Sequence, residues 1–369
     1  MTLVGLRVVL VGPLPPPAGG MANQTRQLAE LLAAEGARVA LVQVNAPYRP
    51  AWVGRVRGLR AGFRLAPYLV RLWRAAGAAD LFHVMANSGW AWHLFAAPAI
   101  RVAAWRGVPV VVNYRGGEAA AFLRGSARAV RATLARAAAL AVPSGFLQRV
   151  FAEHGIASRV LPNVVDLERF RPAADARRDP AAPHLVVARN LEPIYDVGTA
   201  LRAFAAVRAA LPGARLSVAG TGPALDELRA LAESLGVGGA VAFTGRLDRD
   251  QMAALYRDAD VVLNPSRVDN MPNSILEALA SGVPVVSTDV GGVPFVVAHG
   301  KTALLVAAGD DRAMADAALA LLRDARLRAG LVAAGLAEVQ RYAWARVRGE
   351  LAALYADCLA ARAAAATAA

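Results

Sequence analysis

Short continuous apolar runs recur along this chain, each ended by glycine, proline or a small polar residue, and stretches with helical spacing of the apolar positions lie between them. Leu6 to Val11, Arg38 to Val44, Val108 to Asn113, His184 to Ala188, Leu216 to Ala219, Val241 to Thr244 and Asp260 to Asn264 read as strands, and the unbroken apolar runs of Leu6 to Val11 and Asp260 to Asn264 read as buried ones, because such a run leaves no polar side to turn towards water. Strands alternating with helices predict parallel sheets built from βαβ units. A helix is predicted over Ala22 to Glu35, after the first strand. Another presents Ile275, Leu276 and Leu279 on its apolar face, is capped by Asn273 or Ser274, closes at Gly282-Val-Pro and carries Glu277 in its first turn. Residues 310 to 369 read as terminal helices.

The pattern changes from Tyr48 to Ala79. Val53, Val56, Leu59 and Phe63 fall at three- and four-residue steps among Arg55, Arg57, Arg60 and Arg64; Leu65, Leu69, Leu72 and Trp73 continue the series with Arg71 and Arg74, and no acidic residue intervenes between Gln43 and Ala79. Two readings stay open: a basic amphipathic surface that lies on an anionic bilayer, or a domain helix with a solvated arginine face. Gly54, Gly58, Gly62 and Pro67 weaken the stretch as one continuous helix.

Length and composition narrow the classes. At 369 residues, two domains of about 170 to 190 residues are expected, each large enough for its own core. The composition is 56% hydrophobic, yet no run of about twenty residues escapes an arginine or a proline, so no membrane span is expected. The start, MTLVGLRVVLVGPLPPP, carries Arg7 inside a short apolar run and suits a first buried strand better than a leader. A single cysteine, Cys358, excludes a disulfide framework and a cysteine-based metal site, and points by default to the cytoplasm. The net charge of +13 is unevenly divided: residues 1 to 172 carry 21 Arg against 7 Asp and Glu, while the remainder is near balance. No nucleic-acid-binding pattern accompanies the basic half, which leaves anionic lipid as its candidate partner.

The densest chemistry lies in NPSRVDNMPNSILEALASGVPVVSTDVGGVP, from Asn264 to Pro294. Pro265 and Ser266 end a strand, which places the Arg267 to Asn273 loop at a carboxyl edge, where open α/β sheets collect their ligands. Asp269 on that loop and Glu277 on the following helix are expected to face the turn of Met271, Pro272, Asn273 and Ser274, whose amide donors, Pro272 having none, can hold a polyol beside a phosphate. This segment resembles the signature of the family 4 retaining glycosyltransferases, PS-x-x-E-G-x-P-N-x-x-x-E-A-x-A-x-G-x-P-V-x-x-T-x-x-G-G. Asp269 stands at the signature's first Glu and Asn270 at its Gly.

The resemblance extends over nearly the whole chain and implies an α/β GT-B fold: two Rossmann-like domains facing an interdomain cleft, with a C-terminal helix crossing back to the first domain. The implied boundaries are 1–172 for an acceptor-side domain, 173–183 for a linker, 184–340 for a nucleotide-sugar domain and 341–369 for the returning helix. The loop Gly12-Pro-Leu-Pro-Pro-Pro-Ala-Gly19-Gly20 is similar to the family's P-x-x-GG loop, which touches donor phosphate and acceptor, and its glycines allow close approach of a ligand. Asp80-Leu-Phe-His83 is similar to the family's D-x-x-H, whose His is directed at sugar and acceptor; the second His often found two residues on is Met85 here. Arg189 matches the diphosphate-binding Arg, but the partner Lys position falls on Tyr195 and the following Gly on Asp196. Lys301 is the chain's only lysine, so Arg246 or Arg267 is the candidate replacement. Glu192 stands within reach of the same site, and Phe295 occupies a position commonly held by Glu. Gly220 and Gly222, followed by Gly245 and Arg246, match turns that frame the nucleotide base.

The implied function is transfer of a sugar from a UDP- or GDP-sugar to a saccharide or lipid-linked saccharide, with retention of configuration, at the inner face of the cell membrane in cell-surface polysaccharide or glycolipid synthesis. Neither metal nor cofactor is expected, the nucleotide-sugar being a co-substrate. Glu277 is assigned to the ribose, Asp269 to the sugar hydroxyls, Arg189 to the diphosphate, Gly19 and Gly20 to the phosphate, and His83 to sugar or acceptor. The alternative is a sugar-nucleotide-binding protein with weak or no transferase activity, motivated by Tyr195, Asp196, Asp269 and Phe295. A phosphorylase using pyridoxal phosphate would need Lys301 as its Schiff-base lysine.

Overall fold

A computed structural model describes residues 2–16, 19–48, 56, 59–173 and 179–367. Val53, Gly54, Arg55, Arg57 and Gly58 of the basic stretch, the Arg60 side chain and linker residues 174–178 lie outside the described residues.

The valine-rich runs form two six-stranded parallel sheets, one in each of two compact units. Unit 1 comprises Met1–Asn163 with Val347–Ala369, and unit 2 comprises Val164–Arg346. Residues 164–172, grouped with the first domain on sequence grounds, therefore belong to unit 2. Val165 donates its amide to Tyr342 O at 3.0 Å and Phe170 packs against Tyr256, which ties this segment to unit 2.

The first sheet is β1 (Arg7–Gly12), β2 (Arg38–Gln43), β3 (Leu81–Ala86), β4 (Val110–Tyr114), β5 (Ala139–Val142) and β6 (Arg159–Val160), in the order β2-β1-β3-β4-β5-β6. The second is β7 (His184–Ala188), β8 (Arg215–Ala219), β9 (Val241–Gly245), β10 (Val261–Asn264), β11 (Val285–Thr288) and β12 (Leu304–Val306), in the order β12-β11-β10-β7-β8-β9. β3, β4, β10 and β11 are buried along their whole length, as unbroken apolar runs require. Each fully buried Val, Leu or Phe side chain contributes about 1.5–3 kcal/mol over exposure, so the sheets carry the stability and the loops at their carboxyl ends are left to carry chemistry.

Strand order reverses between β1 and β3 in one sheet and between β7 and β10 in the other. Crossover connections leave in opposite directions at such a point and open a crevice beyond the carboxyl ends, so ligands of this architecture bind there. The loops after β1, β7 and β10 hold Gly19, Arg189 and Asp269, whereas His83 lies within β3 itself.

The basic stretch resolves into a helix over Leu59–Ala76 that accommodates Pro67 and is continuous despite Gly62. Tyr68, Leu72 and Ala76 are buried in the unit 1 core, and the Tyr68 hydroxyl donates to Phe95 O at 2.8 Å. The C-terminal helix, Trp344–Thr367, lies with unit 1 from Val347 onward; Arg348 pairs with Glu35 at 2.9 Å, Arg159 with Asp357 at 2.6 Å, and Tyr355 is buried.

Candidate active site

Arg189 follows β7 directly, and Ser266 and Asp269 follow β10, the neighbouring strand across the order reversal. Arg189 Nε and Nη2 both donate to Ser266 Oγ, at 3.0 and 2.7 Å, and Nη2 also pairs with the Asp269 carboxylate. Both partners of that ion pair are 11% exposed. The Tyr195 ring covers the guanidinium at 4.5 Å, adding a cation–π contact to the pair. Burial pulls the Arg189 guanidinium down to about 10 from its ordinary value, since a charge taken out of water favours its neutral form. Arg189, Asp269 and Tyr195 are thus brought together as one cluster. Asp269 was expected to face a sugar; here its carboxylate is taken by Arg189 and by the Asn270 amide at 3.0 Å. Ser266 is the member that residue-by-residue reading missed, although it stands in the Pro-Ser that opens the signature.

Two details of the next helix differ from expectation. It spans Asn273–Ala280 with Pro272 at its N-cap position, so neither Asn273 nor Ser274 is the cap, and no acidic residue lies in its first turn. Proline supplies the extended backbone of a cap without a side-chain acceptor, and Glu277 falls one turn later. Met271 is a buried member of the apolar cluster beneath, together with Ile275 and Leu276. Glu277 accepts from the Tyr256 hydroxyl at 3.3 Å, and this buried tyrosine is a further residue that no local motif announced. Burial raises the Glu277 carboxyl to about 7, with Arg249 and the Tyr256 hydrogen bond opposing the rise. A ligand hydroxyl donating to this carboxylate competes with its proton. Binding is then expected to weaken about tenfold per pH unit below 7 and to level off above it, as nucleotide titrations between pH 5.5 and 8.5 would show.

The glycines expected to frame a base have a nearer duty. A Cβ on Gly220, which has φ +155°, would run into the Arg189 carbonyl, and one on Gly222 would run into that of Leu191. Only hydrogen at these α-carbons lets the β8 loop pack on the loop that presents Arg189. Gly245 O accepts the Gly220 amide at 2.8 Å, continuing the contact to β9, and Arg246 beyond it is exposed. Gly292 likewise lies against the Asn270 carbonyl, and its amide donates to Asp269 O at 2.8 Å, fixing the loop that carries Asp269. Glu192 accepts from Asn190 Nδ2 at 3.3 Å in the Arg189 loop.

In unit 1, Gly19 and Gly20 stand before and at the start of the helix Gly20–Ala34, and, their own adjoining backbone aside, no atom of the described residues lies within 4 Å of where their Cβ would be. Glycine is not demanded there by the fold, which leaves room for an approaching group. His83 is different. It is fully buried in β3, its Nδ1 lies 2.8 Å from the Tyr355 hydroxyl, and its Nε2 lies 3.0 Å from Asn113 Nδ2. An amide nitrogen only donates, so Nε2 accepts and Nδ1 carries the proton. Burial, assisted by Arg115, lowers the imidazole to about 3 and keeps it neutral. Both ring nitrogens are occupied by side chains, so the expected contact with sugar or acceptor is not formed by this arrangement. Arg115 Nε continues the network to Asn113 Oδ1 at 3.1 Å, and its Nη1 reaches Asn163.

With this geometry established, two family descriptions match the chain: Glycosyltransferase Family 4 over residues 18–169 and Glycosyl transferases group 1 over residues 182–324. The chain belongs to glycosyltransferase family 4. Among its relatives, a GDP-mannose-dependent alpha-(1-6)-phosphatidylinositol monomannoside mannosyltransferase of Mycobacterium tuberculosis is 36% identical over 189 residues, which is 47% of this chain and 49% of the relative. A D-inositol 3-phosphate glycosyltransferase of Acidothermus cellulolyticus is 37% identical over 225 residues, 57% of this chain and 50% of that protein. The match thus spans about half the length of these curated relatives. Two solved structures share the fold. Sucrose-phosphate synthase from Thermosynechococcus elongatus superposes with a TM-score of 0.77 at 21% identity, over 96% of this chain and 100% of that one. Anabaena HepE, in complex with UDP and glucose, superposes with a TM-score of 0.71 at 17% identity, over 94% and 98%. The fold of this family 4 chain is therefore GT-B, each unit carrying one of its Rossmann-like sheets.

Proposed function

We propose that this family 4 chain transfers a sugar from a nucleotide-sugar to an acceptor with retention of configuration, unit 2 taking the donor and unit 1 the acceptor. The observation that carries the reading is the Arg189–Asp269–Ser266 cluster at the order reversal of the second sheet. A buried guanidinium at the carboxyl ends of β7 and β10 is suited to a diphosphate, and Glu277 one helix turn beyond the loop is suited to ribose hydroxyls. In this reading Arg189 and the loop amides take up the charge of the departing diphosphate. The relative named as GDP-mannose-dependent makes GDP-mannose the first donor to try, with UDP-sugars beside it. Purified protein is to be melted with a panel of nucleotide-sugars; the donor is expected to raise the melting temperature and then to be consumed when acceptor is added. A panel without any shift overturns the donor assignment. The second reading, binding without transfer, is favoured by one observation: Asp269 already neutralises Arg189. A donor that shifts melting but is never consumed with any acceptor decides for it.

For the acceptor we propose a lipid-linked saccharide or an inositol-containing lipid at the cytoplasmic leaflet. No helix among the described residues is long and apolar enough to cross a membrane. The helix Leu59–Ala76 leaves Phe63, Leu69, Val70 and Trp73 exposed, beside exposed Arg71 and Arg74. Exposed Trp105, with Arg101 and Arg106, adds to the same chemistry, the Arg106 guanidinium lying 4.8 Å over the Trp73 ring. Each arginine near an anionic surface contributes about 1 kcal/mol, reversibly with salt. Replacing Arg71, Arg74, Arg101 and Arg106 by Gln is expected to reduce sedimentation with anionic vesicles by at least tenfold and to leave donor affinity unchanged. Wild-type protein that ignores anionic vesicles at low salt would remove the support for a membrane-borne acceptor.

A further inference from the structure

Resting on the donor reading above and extending it, we propose that Arg267 is the second cation for the donor diphosphate, replacing the lysine that the Tyr195 position lacks, and that Asp196 parks it between turnovers. In the transfer, the bond from the anomeric carbon to the diphosphate oxygen breaks with its electron pair on that oxygen. The acceptor oxygen bonds to the carbon, and the acceptor's proton passes to the released diphosphate. Negative charge therefore grows on the leaving group, and a cation placed beside it accelerates the step. Arg189 alone is poorly supplied for this, because its charge is balanced by Asp269 and two of its nitrogens converge on Ser266.

Arg267 is the residue after Ser266, and its main-chain amide donates to Ile194 O at 2.8 Å, which staples the β10 loop to the turn carrying Tyr195. Tyr195 in turn faces Arg189, so Arg267 and Tyr195 are anchored in the two loops that flank that guanidinium. The Arg267 side chain is 57% exposed and meets Asp196 Oδ2 through Nε at 2.8 Å. The two ends of this ion pair are not alike. Asp196 is only 12% exposed, holds a left-handed backbone at φ 43° and accepts from Thr199 Oγ1 at 3.0 Å through the same oxygen. It is the fixed end, and the arginine is the mobile one. The arginine end lies in solvent, and the Asp196 carboxylate keeps the Thr199 hydroxyl when the arginine leaves, so diphosphate oxygens compete with Asp196 for the guanidinium. A guanidinium presents a planar fork of donors, the geometry that grips phosphate oxygens. Arg202, the next arginine of this region, is directed to Asp311 at 3.5 Å and to Thr199 at 3.0 Å instead.

The test compares GDP, UDP and the corresponding nucleosides by calorimetry on wild type, Arg267→Ala, Arg267→Lys, and Arg267→Ala combined with Tyr195→Lys, with single-turnover rates on the donor found by melting. Arg267→Ala is expected to weaken the diphosphate about 10² fold and to slow transfer by a similar factor, with nucleoside binding unchanged. Arg267→Lys should recover part of the loss. Tyr195→Lys in the Arg267→Ala background should restore both diphosphate affinity and rate, which a merely structural role of Arg267 would not allow. Wild type that binds neither diphosphate overturns the donor reading itself. Wild type that binds one, with Arg267→Ala equal to it or with no rescue by Tyr195→Lys, overturns only the role of Arg267.

Discussion

Glu277→Gln is expected to lose about 10² to 10³ fold in donor affinity while melting at a higher temperature than wild type at pH 8. The first half follows from the acceptor count. An ionised carboxylate offers two oxygens to a ribose diol, and each hydrogen bond to a charged group contributes about 1.5–3 kcal/mol. An amide offers one neutral oxygen and turns donors towards the other hydroxyl. The second half follows from burial. The Glu277 carboxyl rises from an ordinary 4.5 to about 7, because its pocket disfavours the charge more than Arg249 and Tyr256 favour it. Its folded value lies above its unfolded one, so holding it ionised destabilises the fold; the penalty is absent below 4.5, grows through the interval and is complete above about 7. The melting difference between variant and wild type should therefore grow across that interval and vanish at its acid end. A site residue that costs stability is what function requires of it. Wild-type donor binding by Glu277→Gln, or a variant less stable than wild type at pH 8, would defeat the assignment.

Arg189→Ala is expected to slow transfer by about 10² to 10³ and to destabilise the protein by about 3–5 kcal/mol, because it leaves the Asp269 carboxylate buried without its counter-charge. An uncompensated buried carboxylate prefers its proton. The melting deficit should thus shrink as the pH falls towards the ordinary aspartate value of about 3.9. Adding Asp269→Asn should recover much of the stability and none of the rate, which separates the structural half of the ion pair from its chemical half. Arg189→Lys should fall between, since an ammonium cannot engage Ser266 through two nitrogens and Asp269 at once. An Arg189→Ala protein with unchanged turnover would place the diphosphate elsewhere.

Much of the architecture was legible in the linear sequence. An apolar run without polar interruption can only be buried on both faces, so β1, β4, β7 and β10 were readable from Val and Leu alone. The Pro-Ser at 265 and 266, the Gly-Gly at 291 and 292 and the carboxylates between them marked the loop after β10 as the place for chemistry, because turn residues and strand ends are set locally. Of the residues expected to weaken a helix through the basic stretch, Gly62 and Pro67 are carried inside Leu59–Ala76, because glycine and proline weaken a helix by amounts that the burial of Tyr68 and Leu72 overrides.

Partner choice was decided in three dimensions. Asp269 and Glu277 are near in sequence, yet one is bound to Arg189, eighty residues earlier, and the other to Tyr256, on the preceding helix. His83 carries a motif that suggests an open, ligand-facing ring, but the returning helix brings Tyr355 to one nitrogen and β4 brings Asn113 to the other. Hydrophobic period and turn chemistry act over a few residues, so β1, β2, β4, β7, β8, β9 and β10, the loops at their ends and the family signature could be read along the chain. Only the tertiary structure decided which charges neutralise one another and which histidine face is already taken, because those energies depend on burial and on atoms far apart along the chain.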